Sequence, residues 1–230
     1  MNRADFAISV VVPIFNNSSI LTETINTLSN FLSESFAAYE LIFVDDGSSD
    51  DSWQLLIKAK DANQNIVLFR HEKNLDQPAA VVTGCAGAKF DVIATIDADL
   101  PLDLRDFKLI AEMASAGTEL VYGIRVGLPR RSWWRKSGSF LVRHLFRFLY
   151  DYPMTDFGNS AGAVRRSLIE RMRGQPFKVW MLKIELMRYA ESFAEIEVRP
   201  PNHNLKSRSS YSLWKLAKRF FAIIWYRIIR

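Results

Sequence analysis

At 230 residues and 49% hydrophobic content, the chain is long enough for one large domain with a sizeable buried core. Its single cysteine, Cys85, excludes an intrachain disulfide framework, and its start leads into a strand rather than a leader peptide, so a cytoplasmic setting is expected. The net charge of +5 conceals an acidic half and a basic half: residues 1–119 carry 8 Lys/Arg against 18 Asp/Glu, and residues 120–230 carry 22 against 7.

Ile8-Ser9-Val10-Val11-Val12-Pro13-Ile14 predicts a strand. Phe15-Asn16-Asn17-Ser18 follows, with polar side chains suited to cap a helix in which Leu21, Ile25, Leu28 and Leu32 recur at helical spacing. A second strand, 39–44, runs into Asp45-Asp46-Gly47-Ser48-Ser49-Asp50-Asp51, and a helix is expected over 53–62. Some of these acids should cap that helix. The pair Asp45-Asp46 before the glycine suggests more: carboxylates there can accept from the N–H of a base or the hydroxyls of a ribose.

A third strand is expected at 66–69, ending at Arg70, and 74–88 reads as a helix rich in small residues and packed close to the sheet. Then comes 91–96, apolar and β-branched, predicting a buried strand with Asp97-Ala98-Asp99 at its carboxyl end. In an open α/β sheet ligands bind at that edge, and two acids there repel unless a cation or a donor-rich ligand lies between them. Mg²⁺ or Mn²⁺ fits, held by one or two carboxylates and the oxygens of a substrate pyrophosphate. A helix at 101–116 and a strand at 119–124, closing on Gly123 and Arg125, complete this half. Strands alternating with helices imply a mostly parallel, Rossmann-like sheet flanked by helices. No Gly-x-Gly-x-x-Gly follows the first strand and no Walker loop occurs, which disfavours dinucleotide-binding Rossmann enzymes and P-loop ATPases.

Between Leu120 and Tyr150 there is no acid, while Arg125, Arg130, Arg131, Arg135, Lys136, Arg143 and Arg147 are interleaved with Trp133, Trp134 and Phe140. Such a pattern suits a polyanion or an anionic membrane face. Residues 133–150 and 211–230 both have amphipathic spacing suited to helices lying in an interface. The apolar run 220–226 is far short of the roughly 20 residues that cross a bilayer. A helix covering the core, or a dimer contact, competes with the membrane reading of 211–230.

Val12-Pro13-Ile14-Phe15-Asn16, Val44-Asp45-Asp46-Gly47-Ser48-Ser49-Asp50 and Ile96-Asp97-Ala98-Asp99-Leu100, in this order, resemble the three signatures of family-two glycosyltransferases with the GT-A fold. The resemblance implies an inverting transferase using a nucleotide-diphosphate sugar. In it Asp45 and Asp46 contact the nucleoside, Asp97 the ribose or base side, and Asp99 the metal on the pyrophosphate. Arg70, Asn74, Gln77 and Ala80, the Arg125 and Arg135-Lys136 segment, Asp156-Phe157-Gly158, Arg165-Arg166 and Ser209-x-Tyr211-Ser212 are similar to the polyprenyl-phosphate sugar transferases, a likeness extending from Ile8 to about Leu216. It implies a polyprenyl phosphate acceptor aimed by Arg125, Arg135 and Lys136, and a sugar contact at Asp156. Further substrate contacts are implied at Pro13, Phe15, Asn16, Gly47, Ser48, Arg70, Asn74, Gln77, Ala98, Ser139 and Tyr211.

The chain departs from that pattern at Pro101-Leu102-Asp103-Leu104, where the group has a glutamine and two prolines. It departs again at Asn204 and Ser207, in place of an arginine and a glycine, and at Phe90, in place of a glycine. These positions are expected on the acceptor and sugar side, with Lys206 and Arg208 supplying charge there. The expected organisation is a nucleotide-sugar-binding part at 1–125, an acceptor-binding part at 126–210 and an amphipathic helix at 211–230. The enzyme is expected to be peripheral on the cytoplasmic face of the membrane, part of a longer chain, or anchored by a separate membrane subunit. A homo-oligomer is equally compatible with the aromatic helices, and no nucleic-acid partner is expected. Two other readings stand beside this one: transfer to a glycan hydroxyl, which needs a carboxylate base near the sugar, and a noncatalytic nucleotide- or polyanion-binding protein whose acids hold calcium.

Overall fold

β-branched and apolar residues build strand β1 (Ala4–Ile14), and Ile8, Val10, Val11, Val12 and Ile14 are buried on its two faces. The computed structural model describes residues 3–126, 160–175, 178–179 and 182–201. After β1 come α1 (Ser18–Ser35), β2 (Phe36–Asp45), α2 (Ser52–Ala62), β3 (Ile66–Arg70), α3 (Gln77–Gly87), β4 (Val92–Thr95), α4 (Leu104–Ser115) and β5 (Leu120–Arg125). The remaining described elements are β6 (Gly162–Arg165), α5 (Arg166–Met172), α6 (Leu182–Tyr189) and β7 (Phe193–Val198).

The strands form one seven-stranded sheet in the order β3-β2-β1-β4-β6-β5-β7. β3, β2, β1 and β4 pair in parallel, as do β5 and β7; β6 runs against both β4 and β5. The mostly parallel sheet expected from the alternation is therefore present, with one reversed strand. Residues of α1, α2 and α4 pack on the face that carries Val10, Val12, Phe43 and Ala94. α3 covers Val11, Ile42, Val44 and Ile93 on the other face, and α5 and α6 extend that layer over Leu120, Tyr122 and Val164. Small residues let α3 lie close: a side chain at Gly84 would collide with the Val11 methyls, and one at Gly87 with the Phe69 ring.

Several boundaries move for local reasons. β1 begins earlier than expected, and its Phe6 ring meets Phe36 edge-on at 5.4 Å. α3 starts at Gln77 rather than 74, because Asp76 has φ +74° and ψ +152°, which no helix tolerates. α4 starts at Leu104 rather than 101, because Asp103 is extended and caps it, accepting from Arg105 N–H at 2.9 Å.

Caps expected from neighbouring residues are supplied from a distance. Asn17 stands at the N-cap of α1 without a side-chain cap bond; instead Asp50 accepts from Ser18 N–H through Oδ2 at 3.0 Å. Its Oδ1 accepts from Ser52 N–H at 3.0 Å, so one carboxylate serves the starts of both α1 and α2.

The basic half is tied to the sheet by Glu119, just before β5. Its two oxygens accept from Arg171 at 2.8 Å each and from Ser167 and the Glu191 N–H. The Arg171 guanidinium leads the forces that hold its pKa down to about 2 from 4.5. A depressed carboxylate stabilises the fold above its unfolded value and loses that contribution as pH falls through its folded one. The stability gap between wild type and Glu119→Gln, read from urea midpoints, should hold steady above about pH 4.5 and close toward about pH 2. A gap independent of pH would mean that the carboxylate charge is not what matters there.

Candidate active site

β1 is flanked by β2 on one side and β4 on the other, while the chain runs β1, β2, β3 outward before returning to β4. That reversal opens a crevice beyond the carboxyl ends of β1 and β4, the usual ligand position in such sheets. The Asp97-Ala98-Asp99 loop leaves β4 at this point, and the 15–18 and 45–51 loops leave β1 and β2 beside it. Because β6 is reversed, its start lies at the same edge: Thr95 Oγ1 donates to Ser160 O at 2.9 Å.

The β1 and β2 loops hold each other. Asn16, at φ +54°, donates its N–H to Ser48 Oγ at 2.9 Å and accepts from Ser49 N–H at 2.9 Å. Phe15 beside it is 39% exposed. Pro13 lies within the ladder opposite Val44. Asp45, fully buried, accepts from Ser48 N–H at 3.2 Å and faces Arg70 Nε at 3.1 Å. The Arg70 guanidinium lies over the Trp53 ring at 5.0 Å. Asp46 is 2% exposed, and its Oδ1 accepts from Leu75 N–H at 2.9 Å and meets His71 Nδ1 at 2.7 Å. Asp45 and Asp46 are thus engaged inside the protein and do not cap α2. Gly47, at φ +71°, presses on the next loop: a Cβ there would come within 2.6 Å of the Lys73 carbonyl carbon and 2.8 Å of the Asn74 nitrogen. Asn74 organises that loop by accepting from Asp76 N–H at 3.1 Å.

The central acids sit on a braced turn. Leu100 N–H donates to Asp97 O at 3.0 Å with Leu100 at φ +46°, and the buried Thr24 hydroxyl donates to Ala98 O at 2.7 Å. Gln77, at the start of α3, donates from Nε2 to Asp97 Oδ1 at 2.5 Å. Burial pushes the Asp97 pKa up, the Asp99 charge adds to this, and Lys183 and Gln77 oppose it. Among the described residues no group of three or more His, Cys, Asp and Glu could hold a metal. A pair of carboxylates is the donor set expected where a hard divalent ion takes its other oxygens from a diphosphate and water. The residues present therefore fit Mg²⁺ or Mn²⁺ bound together with a phosphate-bearing ligand.

Arg125 ends β5 at the same edge, two strand spacings from β4, on the order of 10 Å. The expected site residues Arg135, Lys136, Ser139, Asp156, Lys206, Arg208 and Tyr211 lie outside the described residues, as do the segments 133–150 and 211–230. Arg165 and Arg166 lie at the opposite edge. Arg165 pairs with Asp91 at 2.7 Å, and Arg166 donates to the carbonyls of Ala88 and Phe90. Phe90, expected on the acceptor and sugar side, is corrected by the same contacts: it precedes β4 at its amino end, away from the acids. Asp103, the other described departure, takes a structural role. It caps α4, pairs with Arg105 at 2.6 Å and donates its N–H to Arg199 O at 3.0 Å. Arg199 in turn grips Asp106 at 2.5 Å, tying the end of β7 to the first turn of α4.

Three contributors escaped sequence reasoning. Lys183 acts electrostatically on Asp97 from α6 and lies over the Tyr122 ring at 4.9 Å. Thr24 reaches the site from a helix interior, and His71 binds Asp46. None carries a motif; only the position of His71 directly after a strand end hinted at the site.

The sequence profile of Glycosyl transferase family 2 matches residues 9–173, well over half of the chain. The chain belongs to this family. This family 2 transferase is 29% identical over 218 residues to the undecaprenyl-phosphate 4-deoxy-4-formamido-L-arabinose transferase of Sodalis glossinidius (strain morsitans). The match covers 94% of the chain and 66% of the relative, so the chain spans slightly less than two thirds of that protein's length. Among solved structures it is similar to Mycobacterium tuberculosis glucosyl-3-phosphoglycerate synthase in complex with Mn²⁺, UDP and glucosyl-3-phosphoglycerate. There the TM-score is 0.67 at 18% identity, over 95% of this chain and 77% of that one. A further mycobacterial protein gives a TM-score of 0.68 at 19% identity, over 96% and 74%. These likenesses establish the GT-A fold of the family 2 transferase.

Proposed function

We propose that this glycosyltransferase moves a sugar from a nucleotide-diphosphate sugar to a polyprenyl phosphate with inversion at the anomeric carbon. The observation that carries the reading is the paired Asp97 and Asp99 at the switch-point crevice of a family 2 chain. The relative named for undecaprenyl phosphate supports the acceptor, and the structural neighbour holding Mn²⁺ and UDP supports the donor and the metal.

In this reading residues 1–125 bind the donor. Phe15, Asn16, Gly47, Ser48 and Arg70 surround the nucleoside, with Asp45 and Asp46 setting the shape of that pocket from within. Asp99 holds the divalent ion, which when bound neutralises charge on the departing diphosphate. Asp97, steadied by Gln77, takes the ribose side. Residues 126–210 bind the acceptor, with Arg125, Arg135 and Lys136 aiming its phosphate and Asp156 contacting the sugar. An oxygen of the acceptor phosphate bonds to the anomeric carbon as the bond from that carbon to the diphosphate oxygen breaks, and nucleoside diphosphate leaves. A phosphate is already anionic near neutral pH, so no general base is required and catalysis is positioning and charge stabilisation.

No helix among the described residues is long and apolar enough to cross a membrane. The reading places the enzyme on the cytoplasmic face, with the basic half and the amphipathic sequence 211–230 against anionic lipid. Incubating the protein with UDP- and GDP-sugars, Mn²⁺ and undecaprenyl phosphate tests the whole reading. Lipid-linked sugar from one donor, and none with water as acceptor, is the expected result. Metal-dependent donor binding without lipid product would move the acceptor to a glycan hydroxyl.

A further inference from the structure

His71 is a largely buried imidazole that the reaction above does not use. Its backbone N–H donates to Asp45 O at 2.8 Å. Its Nδ1 lies 2.7 Å from Asp46 Oδ1, and its Nε2 lies 2.9 Å from Thr83 Oγ1 in α3. An ionised carboxylate can only accept, so Nδ1 donates, and the Thr83 hydroxyl completes the bond at Nε2. The ring is thus gripped at both nitrogens between the loop after β2 and the helix that covers the sheet.

The same Asp46 oxygen also accepts from Leu75 N–H, and Gly47 abuts the backbone of Lys73 and Asn74. The segment then passes through Asp76, whose φ of +74° and ψ of +152° are unfavourable for any residue with a side chain. Such a conformation persists only where its surroundings over-determine it. Immediately afterwards Gln77 places its amide on Asp97 Oδ1.

Accordingly, we infer that His71 is a positioning residue of the donor site: by bridging Asp46 and Thr83 it holds residues 72–77 in place and so sets the Gln77 amide on Asp97. The inference rests on the reading of the crevice as a donor site. It differs from ordinary core packing because its effect should be local and should fall on nucleotide binding.

The test compares wild type with His71→Ala, His71→Asn and Thr83→Val. Three quantities are read: amide exchange over residues 72–80 without nucleotide, the Kd of UDP and of GDP with Mn²⁺ by calorimetry, and donor KM against kcat. His71→Ala should speed exchange in 72–80 more than elsewhere. It should weaken binding of the preferred nucleotide and raise donor KM about tenfold, with kcat within about twofold. His71→Asn, whose amide can still donate to Asp46, should recover most of the affinity, and Thr83→Val should lose about threefold. Binding by His71→Ala within about twofold of wild type, or exchange rising equally throughout the chain, would overturn the inference. If His71→Ala does not fold, the same criteria apply to Thr83→Val, which removes only the far contact. A wild type that binds neither UDP nor GDP would instead remove the donor reading, while the exchange comparison would still score the clasp.

Discussion

Asp99→Asn is expected to reduce lipid-linked product formation about a thousandfold while leaving the fold intact. The turn that carries Asp99 is braced by Thr24 on Ala98 O and by the Leu100 N–H on Asp97 O, and neither contact uses the Asp99 carboxylate. The substitution therefore removes one negative charge from the crevice and leaves both of these braces in place. It also relieves Asp97 of the like charge that helps to raise its pKa. Calorimetry with the preferred nucleotide is the direct check: Mn²⁺ should strengthen binding to wild type and have little effect on the variant. Binding that remains fully Mn²⁺-dependent would place the metal on other residues.

Gly84→Val should produce the largest loss of stability. Any Cβ at position 84 meets the Val11 methyls, and Val44 also lies within 3.2 Å of it. Val11 is in β1, an inner strand of the parallel run paired on both sides, and cannot retreat without disturbing both neighbours. Overpacking of this kind costs about 3 kcal/mol, lowering Tm by roughly 6–12 °C in a domain of this size. The effect should reach the site as well, because α3 begins with Gln77 and carries Thr83, the partners of Asp97 and His71. A shifted helix should weaken nucleotide binding even where the protein remains folded. An unchanged Tm would show that α3 and β1 are not in tight contact.

The exposed apolar side chains near the crevice differ in how visible they are in sequence. Phe15 belongs to a recognisable signature, whereas Leu75, 49% exposed, sits in a loop whose course depends on its N–H bonding to Asp46. Asp103 is similar. As a departure from a familiar pattern it pointed to substrate specificity, yet its carboxylate caps α4 and its backbone N–H binds Arg199 O. A local pattern tells which residue types are present; it does not tell which of them fold back on the protein itself.

The sequence by itself determined the alternation of strands and helices through Ile124, the burial of Leu21, Ile25, Leu28 and Leu32 on one helix face, and the position of Asp97 and Asp99 at a strand end. These follow from periodicity and β-branching, which act between residues close together in the chain. Strand β7 had a legible signal in the apolar-polar alternation of Phe193-Ala194-Glu195-Ile196-Glu197-Val198, which motif matching passed over. The insertion of reversed β6 between β4 and β5 had none, since Thr95 and Ser160 meet across 65 residues of chain. Only the tertiary structure decided that Asp50 caps a helix 32 residues away, that Asp46 is held by His71, and that Lys183 acts on Asp97. Hydrogen bonds and charges act at distances of a few ångströms whatever the separation along the chain, so their partners are settled only when the sheet brings its carboxyl ends together.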